Sequence, residues 1–297
     1  MLRGGFPFVN TKKYNYIMEI KKAAIFCNPS RSNCTRTGIL LSNAAKERGI
    51  EVYFADYKAP LNGLQMQTDI IFSVGGDGTI LKAARTAAAH NIKVFGINAG
   101  HLGFLSSAEE SRLNFEELFD KIQNNTLLCQ RRMMLEAAVI REGKKVFCAP
   151  ALNEAAIKAV SARSIKLKAE YGGSSVKDYT ADGILVATPT GSTAYNLAAG
   201  GPILSPDLEA FILTPICPHT LNQRPLVMPV SGKVKIKVLS PSNQSDVVLS
   251  MDGQITFRLK QGDEIMLAKY KNGVEILFPQ DYDFFNILSI KLKWGSR

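Results

Sequence analysis

The stretch DIIFSVGGDGTILKAARTAAAH (69–90) decides the fold. Its first part, DIIFSV (69–74), is almost continuously apolar after Asp69, as in a strand buried on both faces of a parallel sheet. That strand runs into the glycine turn GGDG (75–78). TILKAARTAAAH (79–90) is alanine-rich and strongly helix-forming. Strand, turn and helix in succession make half of a parallel βαβ unit. Working outward, AAIFC (23–27), EVYFA (51–55) and KVFGIN (93–98) read as further strands, and 35–48 and FEELFDKIQNN (115–125) as helices. The alternation predicts an α/β domain with a Rossmann-like parallel sheet.

After about residue 128 the texture changes. MLEAAVIRE (134–142), KVFCAPALNEAAI (145–157), SIKLKAEY (164–171), GILVAT (183–188), VKIKVLS (234–240), VVLSM (247–251), ITFRL (255–259) and EIMLAKY (264–270) follow one another closely. Turn residues separate them, which predicts a β-rich domain, an antiparallel β-sandwich, with one short helix near Thr193. FFNILSIKLKW (284–294) fits helix or strand. The expected division is a flexible N-terminal extension (1–20), an α/β domain (21–127), a β-rich domain (128–275) and a C-terminal segment (276–297). Residues 1–17 are polar and aperiodic, and Met18 is a second candidate start, so they read as a tail or as untranslated.

Composition bounds the function. In 297 residues, 46% are hydrophobic and 21% charged, which excludes disorder and collagen-like structure for the bulk of the chain. No apolar run approaches the roughly 18 residues that cross a bilayer, and the N-terminus lacks the apolar centre of a secretory signal. The 5 cysteines are widely spaced and include no C-x-x-C, which favours reduced thiols and a cytoplasmic location. The 3 histidines form no metal-ligand pattern, and no residue is singled out as a metal ligand. A net charge of +10 calls for anionic partners. The basic residues are scattered without interleaved aromatics, so phosphate-bearing small molecules suit this charge better than nucleic acid or a membrane.

Four segments carry chemistry. In VGGDGT (74–79), three glycines let a ligand approach the backbone, and the following helix N-terminus favours an anion. Asp77 lies at the carboxyl end of a parallel strand, where open α/β sheets bind ligands. It suits a general base or a carboxylate near Mg²⁺ and phosphates; the plainer reading is a helix N-cap. GINAGHLG (96–103) is a glycine-rich loop without the dinucleotide fingerprint. TPTGST (188–193), within DGILVATPTGSTAYNLAAGGP (182–202), offers hydroxyls and free N–H groups, and Tyr195 offers a stacking face for a purine. Asn153 and Glu154 interrupt an apolar segment and would grip a sugar diol, or form an exposed bulge. SMDGQ (250–254) reads first as a hairpin turn. The lysines of KVKIK (233–237) read as a solvated face.

GGDGT (75–79), NAGHLGFL (98–105), Asn153-Glu154, DGILVATPTGSTAYNLAAGGPIL (182–204), PHTLNQRPL (218–226) and DGQ (252–254), in this order, resemble the NAD kinase family over about residues 22–275. The first motif is shared with diacylglycerol and sphingosine kinases and with phosphofructokinases; the long glycine-rich one is far more selective. The resemblance implies phosphoryl transfer from ATP, or polyphosphate, to the adenosine ribose 2′-hydroxyl of NAD, giving NADP. It also implies a divalent cation such as Mg²⁺, a homodimer or homotetramer, and a chain end that returns to the first domain. Carried over by position, Asp77 resembles the proton acceptor, with Gly78 beside it at the ligand. Lys82 stands where some members have a basic NAD contact. Asn153 and Glu154 match the ribose-binding pair. Arg163 aligns with a basic or histidine contact, and Asp182 with a carboxylate near the nicotinamide end. Thr193, Ala194, Tyr195, Asn196, Leu197 and Ala198 match the stretch lining adenine and ribose, and Gln254 a further contact. Thr180 departs from the Arg or Lys of many members. A lipid kinase would leave 182–204 unexplained, and a non-catalytic NAD(P)-binding protein would lack Asp77.

Overall fold

The computed structural model describes residues 19–28, 32–55, 67–100, 103–160, 164–220, 222–240 and 247–294. The expectation of a flexible or untranslated 1–17 lies outside the described residues. The first lobe runs β1 (Lys22–Cys27), α1 (Ser32–Glu47), β2 (Glu51–Ala55), β3 (Ile70–Gly75), α2 (Asp77–His90), β4 (Lys93–Asn98), β5 (Ala108–Glu109), α3 (Phe115–Gln123) and β6 (Leu128–Arg132). The β-rich lobe follows with β7 (Leu135–Arg141), β8 (Lys144–Ala151), β9 (Glu154–Ala159), β10 (Ile165–Tyr171), β11 (Ser174–Ala181), β12 (Gly183–Ala187), α4 (Tyr195–Ala198), β13 (Ala210–Ile216), β14 (Leu226–Pro229), β15 (Val234–Ser240), β16 (Val247–Met251), β17 (Ile255–Leu259) and β18 (Glu264–Lys269). β19 (Val274–Phe278) and α5 (Phe284–Leu292) complete the chain order.

The first sheet has the order β2-β1-β3-β4-β19-β6, with β5 beside β4. Pairings among β1 to β4 and between β4 and β19 are parallel; β6 runs antiparallel to β19. Every residue of β3 is buried, as its apolar run requires. Helices α1 and α3 cover one face through Leu41, Ala45, Leu118 and Phe119. The other face receives α2 through Ile80, Ala84 and Ala87, together with Met134 and Leu152 from beyond the first lobe. Strand order reverses between β1 and β3, so a crevice opens at their carboxyl ends, and Asp77 follows β3 there. The segments flanking the sandwich, Leu128–Arg132 and Val274–Phe278, both belong to this first sheet.

The sandwich consists of two six-stranded antiparallel sheets, β11-β10-β15-β18-β7-β8 and β14-β13-β12-β9-β16-β17. Leu167, Ile236 and Leu267 of one meet Ile157, Val186 and Leu249 of the other in a single core. The single strand expected over 145–157 is in fact two. The chain leaves one sheet after Ala151 and joins the other at Glu154. At this step the N–H groups of Leu152, Asn153 and Glu154 donate to the Asp252 carboxylate. The sequence reading contains none of β5, β6, β11, β13, β14 and β19. β11 (SSVKDYTA) is a largely polar edge strand, which hides the alternation. The ambiguous 284–294 segment is helical over Phe284–Leu292, with the Asp283 carboxylate capping the N–H groups of Phe285 and Asn286 at 2.8 and 3.3 Å. Among the described residues no helix is long and apolar enough to cross a membrane.

Phe278 is fully buried in the first lobe, with its ring 4.0 Å from that of Tyr282 and beneath the Arg132 guanidinium. Phe278→Ala is expected to cost about 3–5 kcal/mol, read as a lower urea midpoint with an unchanged m-value; a midpoint like the parent's would show that β19 is not needed by the sheet.

Candidate functional site

Asp77 opens α2, with extended Gly76 as the cap residue. Its carboxylate turns toward the loop after β4, where it accepts from Phe104 N–H at 3.1 Å and Ser106 Oγ at 3.4 Å. Gly103 is in the tightest contact: a Cβ there would lie 1.9 Å from Asp77 Oδ1. The glycine-rich loop is thus a wrapping for this carboxylate, although His101 and Leu102 lie outside the described residues. Burial pushes the Asp77 pKa upward, while the Phe104 and Leu105 amides, the Lys291 charge and the Ser106 hydroxyl oppose that rise. A carboxyl held above its ordinary range is a better proton acceptor near neutrality than a free aspartate.

Gly78 is exposed, and its carbonyl accepts from Gln254 Nε2 at 2.7 Å. Gln254 follows the tight turn at Asp252-Gly253, where both residues have positive φ (51° and 66°). The same turn carries the site's most constrained group. The Asp252 side chain is 0% exposed and ion-paired with Arg85 of α2 at 2.8 Å. It also accepts N–H bonds from Leu152 at 3.1 Å, Asn153 at 2.7 Å and Glu154 at 3.3 Å. Arg85 in addition donates to Gln254 Oε1. The hairpin therefore fastens the helix that begins at Asp77 to the segment carrying Asn153 and Glu154.

Those two residues are buried, and Asn153 Oδ1 and Glu154 Oε2 have no hydrogen-bond partner among the described residues; nor has Thr190 Oγ1. Desolvation, reinforced by the nearby Asp252 carboxylate, pushes Glu154 up to about 8. Buried acceptors without donors are costly, and a vicinal diol brings two donors. The TPTGST loop packs onto the same segment. Thr188 Oγ1 donates to the Leu152 carbonyl at 2.5 Å, and a Cβ on Gly191 would lie 2.1 Å from the Asn153 carbonyl oxygen.

Beyond the loop, Tyr195 is half-buried with Lys158 Nζ 6.0 Å from its ring centre. Its pKa is raised, first by desolvation and then by Cys217, Glu154 and Asp182. Exposed Asp182 belongs to the same end of the sheet, held by its N–H to the Ile216 carbonyl at 3.0 Å. Asn196 differs from the rest. Its amide donates to the carbonyls of Ser192 at 3.1 Å and Pro202 at 3.0 Å, and it accepts from Thr214 at 2.7 Å. That side chain ties the glycine-rich stretch to itself and is fully used within the protein. Thr193, Ala194 and Leu197 are half-buried and Ala198 exposed beside it; Lys82 is half-buried on α2. Arg163 lies outside the described residues. Sequence reasoning overlooked Arg85, Asp252 and Ser106. Arg85 had one signal, a long cation amid KAARTAAA; Asp252 stands in the DGQ motif (252–254), but its residue-level reading is turn chemistry alone.

Two family models match the chain. Residues 46–126 match the ATP-NAD kinase N-terminal domain and 152–277 the ATP-NAD kinase C-terminal domain. The chain is 36% identical over 280 residues to the NAD kinase of Treponema denticola, covering 93% of this chain and 98% of that protein. It is 41% identical over 235 residues to the NAD kinase of Aeromonas salmonicida, covering 78% of each. Among solved structures, yeast NADH kinase complexed with NADH has a TM-score of 0.84 at 27% identity, covering 94% of this chain and 89% of that one. An Archaeoglobus fulgidus NAD kinase in complex with ATP has a TM-score of 0.72 at 28% identity, covering 92% and 98%.

The raised Glu154 pKa has a definite sign in stability. The folded state holds this proton more tightly than the unfolded chain, so the group's contribution is fully present below the unfolded value of 4.5 and is lost as pH rises through about 8. Unliganded protein should therefore lose stability between those pH values, and Glu154→Gln should flatten the loss in urea titrations; identical pH slopes for both proteins would contradict the burial argument.

Proposed function

The chain belongs to the NAD kinase family, and from that premise we propose that its active centre is the junction of Asp77-Gly78 with Asn153-Glu154, with Asp77 as proton acceptor. The enzyme phosphorylates the adenosine ribose 2′-hydroxyl of NAD with ATP, giving NADP. The observation that carries the site assignment is the Asp252–Arg85 link, which holds the Asp77 helix against two buried acceptors without donors.

In this reading the ribose 3′-hydroxyl donates to the Asn153 Oδ1 and Glu154 Oε2 pair, and the 2′-hydroxyl keeps its proton for Asp77. Donation to Glu154 favours its charged form, against the desolvation that raises its pKa. Tyr195 offers a ring face to the base, and the backbone of Thr193 to Ala198 closes around it. Asp182 contacts the nicotinamide end, Gln254 reaches the ligand from its place on the Gly78 carbonyl, and Lys82 and Arg163 supply positive charge. The 2′-oxygen attacks the terminal phosphorus of the donor in line. The new O–P bond forms as the bridging P–O bond to ADP breaks, and the hydroxyl proton passes to Asp77. The carboxylate's share is about 10²–10⁴-fold, and positioning provides most of the remainder.

Inorganic polyphosphate is a second donor in this proposal. The residues also fit a divalent cation that arrives on the donor phosphates. Asp77 offers a carboxylate at the transfer point, and among the described residues no three His, Cys, Asp or Glu side chains are grouped to cage a metal. Such a cation, Mg²⁺ in the first instance, supplies neutralisation of phosphate charge. The first lobe, with β6, β19 and α5, acts as the phosphoryl-transfer unit and the sandwich as the dinucleotide-gripping unit of a cytoplasmic enzyme. Exposed Leu226 and Val227 on edge strand β14 support assembly into a homodimer or homotetramer.

Asp77→Asn should retain NAD binding by titration and lose at least about two orders of magnitude in NADP formation with Mg²⁺ and ATP. Turnover near that of the parent would remove Asp77 from the role of base.

A further inference from the structure

Strand β9 carries a cation that the site described above leaves unused. Side chains alternate along a strand, so Glu154, Ala156 and Lys158 share one face of the sheet, the face against which Tyr195 packs. From Glu154 to Lys158 the strand extends roughly 13 Å. Lys158 is exposed, and its Nζ is 6.0 Å from the centre of the Tyr195 ring. It makes no ion pair among the described residues. On the neighbouring strand β12 it is paired with Gly183. A Cβ on that glycine would lie 2.4 Å from the Ile157 carbonyl oxygen and 3.0 Å from Lys158 Cβ, so only a bare glycine leaves room for the lysine stem there. The residue before Gly183 is exposed Asp182, whose carbonyl accepts from Ala159 N–H at 2.9 Å. Lys158 thus stands between the two ends of the proposed dinucleotide site, with Glu154 four residues back along its own strand and Asp182 beside it on the next.

We propose that Lys158 contacts the diphosphate of the dinucleotide and so favours NAD over an adenosine that lacks it. The diphosphate joins the two riboses. With the adenosine ribose on Asn153 and Glu154 and the nicotinamide end on Asp182, it passes between those points, where Lys158 stands. The carboxyl groups at both ends oppose a phosphate, and Arg85, the cation nearest Glu154, is committed to Asp252 and Gln254. An ammonium on a flexible stem supplies the missing positive charge. In the free protein the Tyr195 ring gives that ammonium a resting place, as an aromatic face attracts a cation. Lys158 acts on the acceptor substrate and leaves the phosphoryl donor alone.

This inference rests on the kinase reading above, and one set of measurements separates the two. Steady-state kinetics with NAD and ATP, and binding titrations of NAD and of adenosine, would be run on the full chain as wild type, Lys158→Gln, Lys158→Arg and Arg258→Ala. Lys158→Gln should raise the KM for NAD about fivefold, the upper scale of an exposed charge pair. Its kcat and its KM for ATP should hold, as expected when ground state and transition state lose the same contact. Adenosine affinity should be unchanged, Lys158→Arg should recover most of the loss, and added salt should shrink it. Arg258 is an exposed cation on the same face, two strands away beyond Val248, and its loss should leave the KM for NAD at the wild-type value. An unchanged KM for NAD in Lys158→Gln would overturn the contact. So would an equal loss of adenosine and NAD affinity, which would mean that Lys158 only holds Tyr195, or an equal rise in Arg258→Ala, the mark of a general charge effect. Absence of NADP formation by folded wild-type protein would overturn the kinase reading itself.

Discussion

A carboxylate with no solvent exposure must be compensated within the protein, and the arrangement around Asp252 follows from that need. Three consecutive N–H groups, at Leu152, Asn153 and Glu154, point at it, which is possible only because the chain there has left one sheet and not yet entered the other. One guanidinium, Arg85, completes the shell from the far lobe. Removing one partner of such a buried pair typically costs about 3–5 kcal/mol, because the other charge is stranded. The constraint fixes the orientation of α2, and with it Asp77, relative to the segment that bears Asn153 and Glu154.

The two carboxyls of the proposed centre are displaced in the same direction for related reasons. Burial raises both Asp77 and Glu154. Around Asp77, amide donors, a hydroxyl and Lys291 oppose the rise. Around Glu154, among the described residues, burial is reinforced by another carboxylate, Asp252, so its displacement is large. Asp77 is thus suited to exchange a proton during a reaction, and Glu154 to change its charge when a hydrogen-bond donor arrives. A proposed centre with buried acceptors that lack partners among the described residues on one lobe, and a supported carboxylate on the other, suits a bound hydroxyl between them.

The first lobe was legible where its strands are continuous apolar runs and its helices have high propensity, as in β3 and α2; the short β5, the polar β6 (LCQRR) and the returning β19 were not. The sandwich was legible strand by strand where alternation is clean, as in β15 and β18. It was obscured where an edge strand is polar, as in β11, and where one sequence run serves two sheets, as in β8 and β9. Asp77, Asn153, Glu154 and Gln254 could be named from motif resemblance; the structure links Asn153 and Glu154 through Asp252 and Arg85 to Gln254, which bonds the carbonyl of Gly78 next to Asp77. Asp252 and Arg85 could not be paired in advance. They lie 167 positions apart, and a hairpin Asp-Gly needs no distant partner to explain it. Asn196 shows the converse: the motif assigns it to the ligand, but its amide is fully engaged by Ser192, Pro202 and Thr214.

The most direct test of the link between lobes is a double-mutant cycle on Arg85→Ala and Asp252→Asn, read in kcat/KM for NAD. If the pair acts as one fastening, each single variant loses at least about tenfold and the double variant is no worse than the weaker single, a coupling within the usual range for contacting groups. Additive losses, or single variants that turn over NAD like the parent, would contradict the claim that this ion pair holds the two halves of the site together.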